Sequence, residues 1–110
     1  MRRLNRGKKL KTNNMNNLII EAIENRNVIQ FYYESELRVV EPHCYGITTA
    51  GNEGLRAFQT DGYSSSGKMG WKMYDLSKAE NLEIIAETFS NPRPGYKKGD
   101  KGMNEIYTEL

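Results

Sequence analysis

"VIQFYYESELRVVEPHCYGITT", residues 28–49, carries the outline of the fold. Val28 to Tyr33 is β-branched and aromatic, the composition of a strand. Glu34-Ser35-Glu36 is short and polar, so the chain turns there. "LRVVEPHCYGITT" then reads as a longer strand, interrupted or bent at Pro42, because proline has no N–H to give a ladder. Two strands joined by so short a turn fit an antiparallel sheet.

Towards the N-terminus, Met15, Leu18, Ile19, Ala22 and Ile23 recur at helical spacing while Glu21 and Glu24 fall off that stripe. The Asn-rich stretch 13–17 offers helix caps, and the helix is expected to end near Arg26 and Asn27. Towards the C-terminus, "TTAGNEG" is a turn, "LRAFQT" a strand, "DGYSSSGKMG" a loop and "WKMYDL" another strand. "SKAEN" is a corner and "LEIIAE" the last strand expected. "FSNPRPGYKKGDKG" is punctuated by proline and glycine and reads as irregular. Met103, Ile106, Tyr107 and Leu110 are spaced as one closing turn of helix. The expectation is a mainly β (α+β) domain: a strongly bent antiparallel sheet or small five-stranded β-barrel, with an N-terminal helix at one end and an irregular C-terminal extension.

The loop contains a near match to a phosphate-binding motif. In "GYSSSGKM", residues 62–69, Gly62, Gly67 and Lys68 fit the pattern, but Met69 stands where a hydroxyl would hold magnesium. Such a loop needs a buried parallel strand before it and a helix after it, whose amides and dipole meet the phosphates. Here Gly70 and a strand starting at Trp71 follow. The stretch is read as a hairpin loop.

At 110 residues the chain has room for one modest core. Its 37% hydrophobic and 27% charged content is that of a soluble globular domain. No apolar run approaches the ~20 residues of a membrane span, so no membrane partner is expected. The single Cys44 cannot form an internal disulfide, which suits a reducing cytoplasm. The net charge of +2 is unevenly spread: residues 1–14 hold six cations and no acid, and the remainder carries −4. Residues 1–14 are therefore read as a basic, disordered arm able to touch phosphates, or as a solubilising tail. Residues 15–110 form the single domain.

Little in the chain suggests catalysis. The one histidine, His43, is followed by Cys44, and neighbours on a strand point to opposite faces, so neither a shared metal nor a nucleophile–base pair is expected without a bend at Pro42. No metal, cofactor or enzymatic activity is expected. What recurs is cations interleaved with aromatics on strands. Arg56 shares a face with Phe58, Lys72 with Tyr74, and Arg38, His43 and Tyr45 lie along the long strand, with Gln59, Tyr63 and Ser64 nearby. Charge for phosphates and flat rings for bases is what single-stranded nucleic acid or a nucleotide requires. The opposing reading, that the aromatics are core and the cations a solvated face, holds better for any one residue than for the set.

These stretches also resemble the WYL-domain family over most of residues 15–110. The resemblance rests on "AIENRNVIQFYYE", on "LRVVEPHCYG" (similar to the family's Arg-x-Val-x-Pro stretch), on "GLRAFQ", on "WKMYDLSKAENLEII" and on "FSNP". It implies an Sm-like (SH3-like) small barrel that binds a ligand, often a nucleic acid or nucleotide, in bacterial transcription regulation, DNA-damage responses or phage defence. Arg38 and Pro42 match the arginine and proline of that stretch, and Lys72 lies where an arginine of a basic strand is usual. The name-giving Trp-Tyr-Leu is replaced by about Gly54-Leu55-Arg56, and no winged-helix DNA reader is expected upstream. The combined expectation is a stand-alone, non-catalytic binding module. Arg38, Arg56 and Lys72 would contact phosphate, His43 and Tyr45 a base or ribose, and Gln59, Tyr63 and Ser64 would close the site. The alternative is a protein-interaction or self-assembly module, with a homodimer or other protein partner paired through strand edges.

Overall fold

The computed structural model describes the backbone of residues 4–110 and the side chains of residues 15–110. The N-terminal helix begins at Leu4, upstream of the Asn-rich stretch 13–17 read as its cap, and the side chains of the basic arm expected over residues 1–14 fall outside those described. Helix α1 (Leu4–Asn25) leads into six antiparallel strands: β1 (Asn27–Tyr33), β2 (Glu36–Thr48), β3 (Glu53–Gly62), β4 (Gly70–Asp75), β5 (Ala79–Thr88) and β6 (Met103–Glu109). A short 3₁₀ turn, Leu76–Lys78, joins β4 to β5. The fold is mainly β with one helix. Among the described residues no helix is long and apolar enough to cross a membrane.

Local chemistry accounts for the joints. Arg26 takes the left-handed conformation (φ 56°) that stops α1, its amide reaching back to the carbonyl of Ile23 at 3.4 Å. Glu34 and Ser35 both have positive φ (53° and 69°), the twist a two-residue hairpin turn needs between β1 and β2. The helical stripe packs as its spacing requires. Ile19, Ala22 and Ile23 are buried against Ile29, Phe31, Val40, Tyr45, Leu55 and Tyr74, with Met15 and Leu18 at the margin. Full burial of one such aliphatic side chain contributes about 1.5–3 kcal/mol.

The strand path is β4-β3-β2-β1-β5, with β6 added to β2. The sheet is not closed: β4 and β5 stand at its two ends. The long β2 pairs with β3 along most of its length, but along its other edge it changes partner, from β1 up to Val40 to β6 from Cys44. The gap between the two partners is centred on Pro42, the residue with no N–H to donate. Proline therefore marks where one neighbour hands over to the next and does not break the strand.

Two expectations are corrected. Among the described residues there are six strands, not five, and the sixth is the segment read as a closing helical turn. Ile106, Tyr107 and Thr108 suit a strand as well as a helix, and the open edge of β2 beyond Val40 supplies ladder partners that a single isolated helical turn could not match.

Candidate ligand-binding faces

Register divides the predicted residues between the two faces of the sheet. Arg56 is opposite Met73 and Phe58 opposite Trp71, whereas Ala57 is opposite Lys72 and Leu55 opposite Tyr74. Directly opposed residues share a face and successive ones alternate. Leu55, Ala57 and Tyr74 belong to the core beneath α1, so Lys72 lies on that inner face and Arg56, Phe58 and Trp71 lie on the outer one.

On the inner face, five predicted residues come together at one end of the sheet. Arg38, opposite core residue Phe31, is only 5% exposed. Its guanidinium lies between the rings of Tyr33 and Tyr63, 5.2 Å from each centroid, and Nη2 donates to the Tyr33 carbonyl at 3.2 Å. Its Nε is buried without a hydrogen-bond partner. An exposed carboxylate, Glu34, stands 4.0 Å from Nη2 and contributes little at that exposure. Beside Arg38, the amide of Gln59 donates to the carbonyls of Asp61 (3.0 Å) and Tyr63 (2.8 Å) and accepts from the Tyr74 hydroxyl (3.3 Å). These bonds hold the loop carrying Tyr63 against the sheet. Burial pushes the Tyr74 phenol up to about 12, partly countered by Arg38, so it remains a donor. Lys72 donates to the buried Ser64 hydroxyl and to the Lys68 carbonyl, both at 2.9 Å. The Tyr63 ring, 49% exposed, lies over Arg38. The near-motif loop is thus a hairpin crossing between antiparallel strands, with no helix after it.

The other three predicted residues are elsewhere. Tyr45 is in the core, its hydroxyl 3.3 Å from a Glu53 oxygen. Arg56 lies on the outer face, bound by two hydrogen bonds to Asp100, at 2.6 and 3.2 Å. His43 is fully buried on that face, edge-on to Trp71 and stacked near Phe89. A β-bulge explains its position. Pro42 is opposite Ala57 and Cys44 opposite Arg56, so His43 is the extra residue, and both it and Cys44 turn outward. Alternation along an unbroken strand would have separated them.

Segment 89–102 crosses the outer face as a strap. Phe89 N–H donates to the Arg26 carbonyl at 3.0 Å, and Trp71 Nε1 donates to the Pro94 carbonyl at 3.0 Å. Arg93 donates through its guanidinium to both oxygens of Glu41, at 2.7 and 2.9 Å, and through its amide to His43 Nε2 at 3.1 Å. With Nε2 accepting, Nδ1 carries the proton and donates to the Glu41 carbonyl at 2.8 Å. His43 is held neutral, its pKa lowered chiefly by burial. Trp71 and Phe58 are part of this smaller aromatic layer, not of the core beneath α1.

Sequence reasoning named Tyr74 only as the neighbour of Lys72, and missed Tyr33 on the inner face and Glu41, Arg93, Tyr96 and Asp100 on the outer one. For the strap, the one available signal was the density of charge in "RPGYKKGDKG". No protein-family model, curated protein or solved structure matches this chain.

Proposed function

We propose that this chain is a non-catalytic, WYL-type binding module that takes single-stranded nucleic acid or a nucleotide-derived ligand on the Arg38 face, in bacterial regulation or phage defence. The observation that carries the reading is Arg38 itself. A guanidinium held between two tyrosine rings, with an unpartnered Nε and a lysine-bearing strand close by, is a costly arrangement for stability alone. It suits a phosphate that would displace the exposed Tyr63 ring, with Tyr33 or Tyr63 offering a face to a base. The strand path is in keeping with the Sm-like barrel of that family, since bringing β4 to β5 would close it.

The test is binding of a labelled single-stranded oligonucleotide, followed by anisotropy, to the wild type and to Arg38→Gln, Lys72→Gln and Tyr63→Ala. Loss of one charged hydrogen bond, about 1.5–3 kcal/mol, corresponds to weakening of about tenfold or more for Arg38→Gln and Lys72→Gln. Binding that these two variants leave unchanged, in proteins that melt normally, removes the proposal.

A second reading rests on the sheet's ends. Among the described residues β4 pairs with β3 alone and β5 with β1 alone, leaving two strand edges that another chain could extend. Concentration-dependent sedimentation that persists at high salt would favour this self-assembly reading, because phosphate binding weakens with salt and edge pairing does not.

A further inference from the structure

The outer face holds a cavity of about 430 Å³ lined by Arg56, Trp71, Tyr96, Lys97, Lys98 and Lys101, with Asp100 and two glycines completing it. Its volume lies in the range of small-molecule sites, roughly 300–1,000 Å³. The strap builds it. Gly95 (φ 94°) and Gly99 (φ 71°) both adopt the left-handed conformation, bracketing Tyr96, Lys97 and Lys98 so that the chain doubles back over Trp71. The Gly99 amide is anchored to Glu109 at 3.0 Å and the Tyr96 hydroxyl to the Leu110 carbonyl at 3.3 Å.

Two features of the lining point to one ligand chemistry. The first is charge. The only lining carboxylate, Asp100, is engaged by Arg56 and by the Gly102 amide at 2.8 Å. Lys97, Lys98 and Lys101 are exposed, and among the described residues none forms an ion pair. The lining therefore carries four cations against one acid. The second is an aromatic wall of two stacked rings: Trp71 and Tyr96 lie 24° from parallel with centroids 6.3 Å from each other. A simple polyanion would use the lysines and leave the aromatic wall idle. A planar base joined to phosphate uses both, and stacking on an aromatic ring is worth roughly 1–3 kcal/mol per base.

We propose that this cavity is a second site, on the opposite side of the sheet from Arg38, for a nucleoside phosphate. The base stacks on the Trp71–Tyr96 wall and the phosphates are held by Lys97, Lys98 and Lys101. The site stands independently of the Arg38 reading, and either can fail alone.

The chain has one tryptophan, so its intrinsic fluorescence reports this cavity and not the Arg38 face. Tryptophan emission is followed while ATP, a short oligothymidylate or inorganic tripolyphosphate is added, with free N-acetyltryptophanamide correcting for absorption. Saturable quenching by ATP or by the oligonucleotide supports the site, and the tighter of the two identifies whether a free nucleotide or a strand supplies it. Replacing Lys97, Lys98 and Lys101 together by Gln is expected to weaken quenching at least about tenfold, replacement by Arg to keep it within a few-fold, and Arg38→Gln to leave it unchanged. No saturable quenching, or quenching indifferent to the Gln replacement, overturns the proposal. Tripolyphosphate binding as tightly as ATP overturns the role of the base.

Discussion

Arg56 grips Asp100 with two hydrogen bonds, Nε to Oδ2 at 2.6 Å and Nη2 to Oδ1 at 3.2 Å, tying β3 to the strap. The pair is partly shielded, with side-chain exposures of 29% and 11%. Arg56 holds the Asp100 carboxyl below its ordinary range. Arg56→Gln is expected to cost about 1.5–3 kcal/mol of stability, the range for hydrogen bonds to charged groups. Oligonucleotide binding at the Arg38 face should stay within a few-fold. Urea unfolding and anisotropy on the same variant check both parts. A loss of oligonucleotide binding with unchanged stability would mean that Arg56 contacts the ligand and is not only a tie between β3 and the strap.

His43 gives the fold a pH dependence of defined sign. In the unfolded chain it titrates near 6.5, and in the folded chain lower, chiefly through burial. Between those two values the unfolded state holds more protons, so stability rises with pH there. The contribution is fully present above 6.5 and is lost as pH falls through the lowered value. The groups facing the ring are the Glu41 carbonyl and carboxylate, the Arg93 amide and guanidinium, and the rings of Trp71, Phe89 and Tyr96. His43→Gln can keep both hydrogen bonds without titrating. Unfolding free energy measured from pH 7.5 to 5 should fall in the wild type and fall less in this variant. Equal slopes would remove His43 as the cause.

At Gly46 the backbone of β6 leaves no room for a side chain on β2. A Cβ there would run into the backbone carbonyl of Glu105 and lie 2.9 Å from the Ile106 Cα, and backbone cannot swing aside as a side-chain tip can. Gly46→Ala should cost about 1–3 kcal/mol. The effect should be local, with β6 amides losing protection from hydrogen exchange while β1 and β5 keep theirs. Cys44 gives a second readout, because it is buried two residues before Gly46 and its thiol is pushed up to about 12, mainly by burial. It should react slowly with Ellman's reagent in the wild type and faster in the variant. Unaltered β6 protection would show that the contact relaxes without lifting the strand.

Lys68, the lysine of the near motif, is exposed, and what the structure uses is its backbone: the amide donates to Ser66 Oγ at 3.3 Å and the carbonyl accepts from Lys72. Lys68→Ala keeps that carbonyl. Its effect on stability should stay within about 0.5 kcal/mol, as for most surface changes. Magnesium-dependent ATP hydrolysis that disappeared with this substitution would contradict the hairpin assignment.

Elements whose signals are local can be read directly from the residues. The stripe from Met15 to Ile23 could bury only one side of a helix, and "VIQFYYESELRVV" reads as two strands joined by a turn. The pairs Arg56 with Phe58 and Lys72 with Tyr74 each share a face because alternation needs nothing beyond the strand itself. Tertiary structure alone decided that those two pairs lie on opposite faces. Facing depends on the register between strands, and a slip of one residue, such as the bulge at His43, reverses it without a trace in composition. It also decided that residues 103–109 extend a sheet. The spacing of Met103, Ile106, Tyr107 and Leu110 fits a helix and the residues Ile106, Tyr107 and Thr108 suit a strand, and the open edge of β2, distant in sequence, supplied the hydrogen bonds that chose between them. The partnership of Arg56 with Asp100 came the same way, from a strap whose path is set by what it packs against.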